Sequence, residues 1–236
     1  MFLVIRWFKR TSKPFLPSQH CFTMGGFDWG RHWAEHDENE AASRFALFMA
    51  DRLDGFLDWR RVSSFADFGC GPATMMLALA RRHPETVFHG YDSSGTIIAK
   101  DTARAAEAGL RNVAFGRAVL PDIDAGRGFD VITCLSSLHY VERIEEAIRN
   151  LFRAVRGGGL LLLNYPNTYT HHMYRRDVKQ DDEETRTRFT LVLNGRNLVT
   201  QRTIQRVTGV RPRRFHSAIR GNIYVTLHKP WPRRRL

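Results

Sequence analysis

The sequence is poor in cysteine and has no long apolar run. Its 236 residues include three cysteines, Cys21, Cys70 and Cys134, and none of them forms a C-x-x-C pair. This pattern argues against a disulfide framework and indicates a reducing, cytoplasmic setting. The opening apolar run ends at Arg6, far short of the roughly 18 residues that span a bilayer or the roughly 7–15 of a secretory signal. We therefore predict no membrane segment.

Acidic residues are missing from the last part of the chain. From Thr185 to Leu236 there are 13 Arg or Lys and no Asp or Glu, whereas residues 1–184 hold 23 basic and 24 acidic residues. A one-sided basic segment attracts RNA, phosphorylated substrates or acidic surfaces. Arg outnumbers Lys 31 to 5 over the whole chain, however, which is equally typical of a compositional bias. No RNA- or DNA-binding motif accompanies the charge, so nucleic-acid binding is not favoured.

The length fits one domain. Residues 1–23 lack periodicity, and we predict a disordered leader there, with Met24 as an alternative start. Residues 24–236 then form a single domain, whose first part, 24–58, is a helical cap. Within it, apolar residues recur at helical spacing over about 39–58.

Strands alternate with helices after this cap. The predicted strands are Val62–Phe68, Val87–Tyr91, Val113–Phe115, Phe129–Leu135 and Leu160–Leu163. The predicted helices between them are Ala73–Arg82, Thr96–Ala108 and about 144–155. Such alternation indicates an α/β fold with a doubly wound, mostly parallel sheet covered by helices on both faces.

The C-terminal third is expected to complete a seven-stranded sheet. Asn194-Gly195 predicts a hairpin turn between strands at 188–193 and 196–199, because Asn-Gly tolerates two residues with positive φ. We interpret 164–199 as a lid or hairpin insertion. Arg213–Ile219 and Asn222–His228 are then the last two strands of the sheet.

A glycine turn joins the first strand to the helix after it. Gly69-Cys70-Gly71 follows Phe68 directly. Glycines let the backbone bend sharply and let a ligand approach without meeting a Cβ atom. The N-terminus of the next helix offers unpaired N–H groups to a carboxylate or phosphate. A Gly-x-Gly alone is a weak signal, because a simple tight turn has the same composition.

An acidic residue ends the second strand. Asp92 follows Gly71 by 21 residues, and a carboxylate there can accept both ribose hydroxyls of a bound nucleoside. The alternative is a turn or cap residue, together with Ser93. The glycine turn at this distance favours the nucleoside. A nicotinamide fingerprint would have a third glycine where this chain has Thr74, and it would not account for Asp67.

The segment Asp67-Phe-Gly-Cys-Gly-Pro-Ala73 resembles motif I of class I S-adenosylmethionine-dependent methyltransferases. The resemblance extends over about residues 62–165, through Asp92, the fourth strand and the glycine-rich turn before the fifth. It implies S-adenosylmethionine as the cofactor. It also implies an enzyme, for which we expect an O or N atom of a small molecule as the acceptor.

The resemblance implies cofactor contacts at the ends of four strands. Asp67, Gly69, Cys70 and Gly71 would surround the methionine part, Asp92 and Ser93 the ribose, and Leu135 and Ser136 the sulfonium. The family usually has an acidic residue after the third strand to bind the adenine amine, but this chain has Gly-Arg-Ala there. We expect a backbone carbonyl near Ala118, or the carboxylate of Asp122, to replace it.

Methyl transfer needs little acid–base chemistry. The sulfonium is already activated, so alignment of the reactants supplies up to ~7–11 kcal/mol. A base helps only where the acceptor must lose a proton. His139 is our candidate, because an unperturbed pKa of ~6.5 suits proton transfer near neutrality. The alternative is a histidine packed at a strand end.

Aromatic residues suggest where the acceptor binds. Tyr165, Tyr169 and His171 follow the fifth strand, where open α/β sheets bind ligands, and Trp29 and Trp33 would close the pocket from the other side. Ordinary packing explains the same residues equally well. His171 and the histidine after it would point apart on any regular element, and no third ligand has suitable spacing. We therefore predict no metal site.

Two other functions remain as alternatives. An RNA- or protein-binding module on the same fold would use the basic C-terminal third, and an NAD(P)-dependent oxidoreductase would use the same sheet. The leading hypothesis is a methyltransferase whose partner is a small-molecule acceptor. The sequence identifies neither that acceptor nor the oligomeric state.

Overall fold

The computed structural model describes residues 26–123, 128–217 and 222–231. The predicted leader, 1–23, and Met24 lie outside the described residues. A seven-stranded sheet with the order β3-β2-β1-β4-β5-β7-β6 forms the centre. The strands β1 to β5 pair in parallel, and β7 runs antiparallel to both β5 and β6. The predicted doubly wound, mostly parallel sheet is therefore confirmed.

The elements alternate as expected. The strands are β1 (Ser64–Phe68), β2 (Val87–Asp92), β3 (Val113–Arg117), β4 (Phe129–Cys134), β5 (Val155–Asn164), β6 (Arg213–Ser217) and β7 (Ile223–His228). The helices are α1 (Trp29–Glu35), α2 (Glu40–Asp54), α3 (Thr74–Arg82), α4 (Gly95–Glu107), α5 (Ile144–Ala154), α6 (Thr168–Asp177), α7 (Glu183–Arg188), α8 (Thr190–Leu193) and α9 (Gln201–Thr208). Single 3-10 turns lie at Trp59–Arg61 and Leu138–Tyr140.

Each face of the sheet has its own apolar core. Successive side chains of a strand point to opposite faces, so Phe65 of β1 packs with one core and Phe68 with the other. The first core includes Met49 of α2 and Met76 of α3, and the second includes Ile148 of α5. Helices on both faces thereby bury β4 along its whole length, and they leave only the strand ends accessible to a ligand.

A buried carboxylate joins the two central strands at the end of the sheet opposite the glycine turn. Asp130 Oδ2 accepts hydrogen bonds from the backbone N–H of Ser63 at 2.8 Å and of Ser64 at 2.9 Å, and from both serine hydroxyls. The guanidinium of Arg156 pairs with the other oxygen. Charge-assisted bonds of this kind are strong, so Asp130 fixes β1 against β4.

The predicted hairpin at 188–199 is wrong. This segment contains the end of α7 and the short helix α8 instead. Gly195 has a φ of +67°, as a turn glycine should, but its N–H donates to Val192 O and the N–H of Arg196 donates to Leu191 O. These bonds end a helix. Asn-Gly therefore signalled a turn correctly, but the turn closes α8 rather than a hairpin.

The start of β5 differs from its predicted position, whereas the ends of α9 lie at residues that are typical of helix ends. The glycine run 157–159 was expected to precede the fifth strand, but it lies inside β5, with Gly158 at a φ of +77°. Thr200 caps α9 and Gly209 ends it, as its sequence signals indicate. Within the described ranges, no helix is both long enough and apolar enough to cross a membrane.

Candidate active site

A cleft opens at the C-terminal ends of β1, β2 and β4 and is covered by α1 and α7. Its volume is about 670 Å³. All predicted cofactor contacts except the alternative adenine contact Asp122 line it: Asp67, Gly69, Cys70, Gly71, Asp92, Ser93, Ala118, Leu135 and Ser136. These residues come from four separate strand ends, and the parallel sheet brings them to one edge.

The glycine turn forms one wall of the cleft and is tied to β2. The N–H groups of Gly69 and Cys70 both donate to the carbonyl of Tyr91, at 2.7 and 3.0 Å. Gly69 has a φ of +73°, which favours glycine. A Cβ at this position would lie 2.5 Å from Ser137 Cβ and closer still to its hydroxyl. Glycine is therefore required at 69 for both backbone and space.

Asp92 connects the tip of β2 to the glycine turn. Its Oδ2 accepts the N–H of Gly71 at 3.1 Å, and its Oδ1 accepts the N–H of Ser94 at 2.9 Å. Burial raises the pKa of this carboxyl, and the backbone N–H donors oppose that change. Each carboxylate oxygen has a second lone pair, so the turn bonds leave acceptor capacity for ribose hydroxyls. The turn role and the nucleoside role are compatible.

The other carboxylates of the cleft suit a positively charged ligand. Asp67 accepts a hydrogen bond from the hydroxyl of Thr133 at 2.6 Å. Burial raises the pKa of Asp67 to about 7, and the charge of Asp92 acts in the same direction. An ammonium group nearby would favour the ionised form. Glu38 also lines the cleft and accepts from the hydroxyl of Thr74 at 2.5 Å. These carboxylates fit a methyl donor, such as S-adenosylmethionine, that carries an ammonium and a sulfonium group.

The kind of domain at the centre of the chain follows from this geometry together with the sequence match. Residues 66–161, which run from within β1 to within β5, match the family model described as a methyltransferase domain. Residues 66–161 are therefore identified as a methyltransferase domain. The resemblance found at motif I is thereby confirmed.

Curated relatives of this domain are named as methyltransferases. A trans-aconitate 2-methyltransferase from Deinococcus radiodurans is 25% identical over 123 residues, which cover 52% of this chain and 45% of that protein. A 27-O-demethylrifamycin SV methyltransferase from Amycolatopsis mediterranei is 30% identical over 142 residues, 57% of this chain and 51% of that protein. The chain spans about half the length of the curated relatives it matches.

Solved structures share the fold of the methyltransferase domain. An O-methyltransferase family protein from Burkholderia thailandensis has a TM-score of 0.61 at 20% identity, covering 81% of this chain and 58% of that one. The magnesium protoporphyrin IX methyltransferase from Synechocystis PCC 6803, solved with bound SAH, has a TM-score of 0.60 at 15% identity, covering 85% and 92%.

The predicted acceptor pocket divides in two. Trp29 and Trp33 line the cleft of the methyltransferase domain. Tyr165 is buried in the core instead, Tyr169 is 56% exposed on α6, and His171 bonds through Nδ1 to a backbone carbonyl of α8 at 2.6 Å. None of these three belongs to the described residues that line the cleft. The residues after β5 therefore do not form the predicted wall of the acceptor pocket.

The candidate base and one candidate adenine contact also lie away from the cleft. His139 is 2% exposed, and burial lowers its pKa to about 4. Its ring lies 6.2 Å from that of Tyr174, and it does not appear among the described residues around the cleft. Asp122 bonds to Arg143 at 2.6 Å outside the cleft. Of the two adenine candidates, only Ala118 faces the ligand space.

Sequence reasoning missed the wall formed by α7 and the 3-10 turn after β4. Tyr140, Glu184 and Arg188 line the cleft. Tyr140 packs edge-on against Trp29 with ring centroids 4.7 Å apart, and Glu184 lies 3.4 Å from Nδ1 of His32. Assigning residues 188–193 to a strand hid Arg188, which ends α7. Within the ranges described above, no cluster of three or more His, Cys, Asp or Glu could hold a metal ion.

Proposed function

We propose that the whole chain is an S-adenosylmethionine-dependent methyltransferase that transfers a methyl group to an O or N atom of a small molecule. The observation that carries this is the contact between two strand tips: the N–H of Gly71 donates to Asp92 at 3.1 Å beside an open cleft. In this arrangement, one nucleoside can bond to the carboxylate of Asp92 through its ribose hydroxyls and lie against a glycine turn that has no Cβ atom in its way.

The chain's own residues would hold the donor along the sheet edge. Asp92 would accept the ribose hydroxyls, and Asp67 would face the ammonium group. Leu135 and Ser136 would face the reacting centre. Ser136 has a φ of +57°, and its N–H donates to Asn164 Oδ1 at 2.6 Å, so the backbone after β4 is firmly positioned. The donor, when bound, supplies a methyl group on an activated sulfonium.

The covering wall would exclude water from the reacting groups. Trp29, Trp33 and Tyr140 all line the cleft, and the two tryptophans stack with ring centroids 6.4 Å apart. Alignment inside such an enclosure accounts for most of the acceleration that methyl transfer needs. No side chain of this wall has to act as a base for an acceptor that already carries a negative charge.

The alternatives lack comparable support. The methyltransferase family match argues against the dinucleotide oxidoreductase, and the cleft gives the chain a ligand site that a purely RNA-binding module would not need. We place the activity in the cytoplasm, which is supported by the free thiols of Cys70 and Cys134. The names of the relatives make trans-aconitate a sensible first acceptor.

Calorimetry and isotope transfer test the proposal. We expect S-adenosylhomocysteine to bind and NAD and NADP not to bind. With a donor labelled in its methyl group, we expect label to pass to trans-aconitate or to another small molecule of a cell extract. Binding of NAD or NADP without S-adenosylhomocysteine would overturn the assignment.

A further inference from the structure

Arg188 is a cation on the wall of the cleft. It ends α7 and lines the cleft together with Tyr140. Its guanidinium carbon lies 5.2 Å from the ring centroid of Phe189 and 6.0 Å from that of Phe27. Phe189 in turn lies 5.4 Å from Tyr140. The guanidinium is therefore surrounded mainly by aromatic rings.

Among the described residues, no carboxylate contacts the guanidinium of Arg188 directly. Within the described part of the chain, its Nε is buried without a hydrogen-bond partner, and no acidic side chain forms an ion pair with it. Its one hydrogen bond in this region is a long one, 3.5 Å from Nη2 to the hydroxyl of Thr185. A buried polar group without a partner is costly. A carboxylate that enters the cleft would supply the acceptor that Nε of Arg188 lacks.

The nearest acidic side chains of the wall have other partners. Asp182 caps α7 by accepting the N–H of Thr185 at 2.9 Å, and its hydrogen bonds with Thr185 and the charge of Arg188 both lower its pKa. Glu184 lies 3.4 Å from Nδ1 of His32. The charge of Arg188 nevertheless reaches its neighbours. Burial lowers the pKa of His32, and Arg188 lowers it further; burial raises the pKa of Tyr140, and Arg188 opposes that rise. The guanidinium thus creates a local positive potential in a cleft whose other charged walls are acidic.

We propose that Arg188 binds a carboxylate of the methyl acceptor, so that the acceptor is a carboxylic acid. This inference rests on the proposed function and adds the substrate class to it. A planar guanidinium matches a carboxylate in two parallel hydrogen bonds. A single arginine suits one carboxylate better than a phosphate dianion, because Glu38, Asp67 and Asp92 make the rest of the cleft unfavourable for a second negative charge.

The position of Arg188 favours the acceptor over the donor as the source of this carboxylate. The donor's methionine part is assigned to the turn after β1, which faces Trp33. Arg188 instead lies on the segment between β5 and α9 and reaches the cleft beside Tyr140, which follows β4. Segments that follow the strands in this way carry specificity in α/β enzymes.

Three variants separate these sources. Arg188→Gln removes the charge, and Arg188→Lys keeps the charge but loses the planar pair of donors. Arg186→Gln is the matched control, because Arg186 is exposed on the same helix and bonds to the carbonyl of Gln180 instead of lining the cleft. Urea midpoints establish that all three fold. The affinity for S-adenosylhomocysteine then reports on the donor site alone.

The acceptor probe is a small-molecule cell extract divided by anion exchange into bound and unbound fractions. With methyl-labelled donor, we expect label in molecules of the bound fraction. At limiting amounts of that fraction, the initial rate should fall about 10- to 100-fold in Arg188→Gln, as expected for the loss of a charged hydrogen bond. It should recover partly in Arg188→Lys and stay unchanged in Arg186→Gln. The affinity of each variant for S-adenosylhomocysteine should match that of the wild type.

Each other result has a definite meaning. Label confined to the unbound fraction, no label with S-adenosylhomocysteine still binding, or an unchanged rate in Arg188→Gln would overturn the carboxylate assignment. A tenfold weaker affinity for S-adenosylhomocysteine in Arg188→Gln with an unchanged acceptor rate would assign the carboxylate to the donor. Failure of the wild type to bind S-adenosylhomocysteine would instead overturn the proposed function.

Discussion

The close approach of Gly69 and Ser137 makes a quantitative prediction. Gly69→Ala places a Cβ against the side chain of Ser137 in a backbone conformation with a φ of +73°. The left-handed conformation costs about 1–2 kcal/mol for a residue with a Cβ, and a tight contact costs about 1–3 kcal/mol. We therefore expect Gly69→Ala to lower the free energy of unfolding by about 2–5 kcal/mol in total.

Ser137→Gly should relieve the contact but not the backbone strain. The nearest of the remaining atoms would then be Ser137 Cα, 3.9 Å from the new Cβ. Ser137→Gly alone loses the hydroxyl's bonds to the carbonyls of Gly69 and Leu135, at 3.2 and 3.0 Å, which costs about 0.5–1.5 kcal/mol. The double variant should therefore be about 1–3 kcal/mol more stable than the sum of the single changes predicts.

Urea denaturation of the four proteins in this cycle measures the coupling. Gly209→Ala is the matched control, because Gly209 also has a φ of +73° but no atom lies within 4 Å of its hypothetical Cβ. Gly209→Ala should lower the free energy of unfolding by about 1–2 kcal/mol, from backbone strain alone. Its effect should add to that of Ser137→Gly without coupling. Additive costs for Gly69→Ala and Ser137→Gly would refute the close packing of the turn after β1 against the turn after β4.

Three further variants test the remaining site residues. Asp92→Ala should weaken S-adenosylhomocysteine about 10- to 100-fold by calorimetry, because a charged acceptor is lost; an affinity within about twofold of wild type would contradict the ribose role. Burial raises the pKa of Asp67 from 3.8 to about 7, so the unfolded carboxyl ionises first, and the wild type should lose stability as the pH rises through this window. The Asp67→Asn variant should not show the loss of stability that comes from Asp67. Urea denaturation at several pH values measures this, and the same pH dependence of stability in the variant and the wild type would contradict the raised pKa of Asp67. His139→Gln should leave the pH dependence of kcat near neutrality unchanged, because His139 is buried with a pKa of about 4; disappearance of an ionisation in that range would restore the base hypothesis.

The elements predicted best are those in which local and tertiary signals agree. The glycine turn, Asp92 and the strands around them follow from patterns of a few residues, because a parallel sheet requires continuous apolar strands and short connections. Their assembly at one edge follows from the parallel arrangement itself. This is why the predicted cofactor contacts other than Asp122 lie around one cleft.

The covering wall could not be derived in the same way. Arg188 reaches the cleft only because α7 folds back over the strand ends, and the periodicity of the local sequence does not reveal such a contact. The turn at Gly195 has the same positive φ in a hairpin and at a helix end, so its sequence fits both. Tyr165 and His139 likewise follow strands as ligand-facing residues do, yet both are buried.

The position of β7 between β5 and β6 has a consequence for how the chain assembles. During synthesis, one edge of β5 has no neighbour and β6 has no partner strand until residues 223–228 emerge. Lys229 then bonds through Nζ to the carbonyls of Phe152, Arg153 and Val155 at the end of α5. A truncation before β7 should leave an unpaired strand edge open to aggregation. Fusion partners are therefore better placed after this strand than within it.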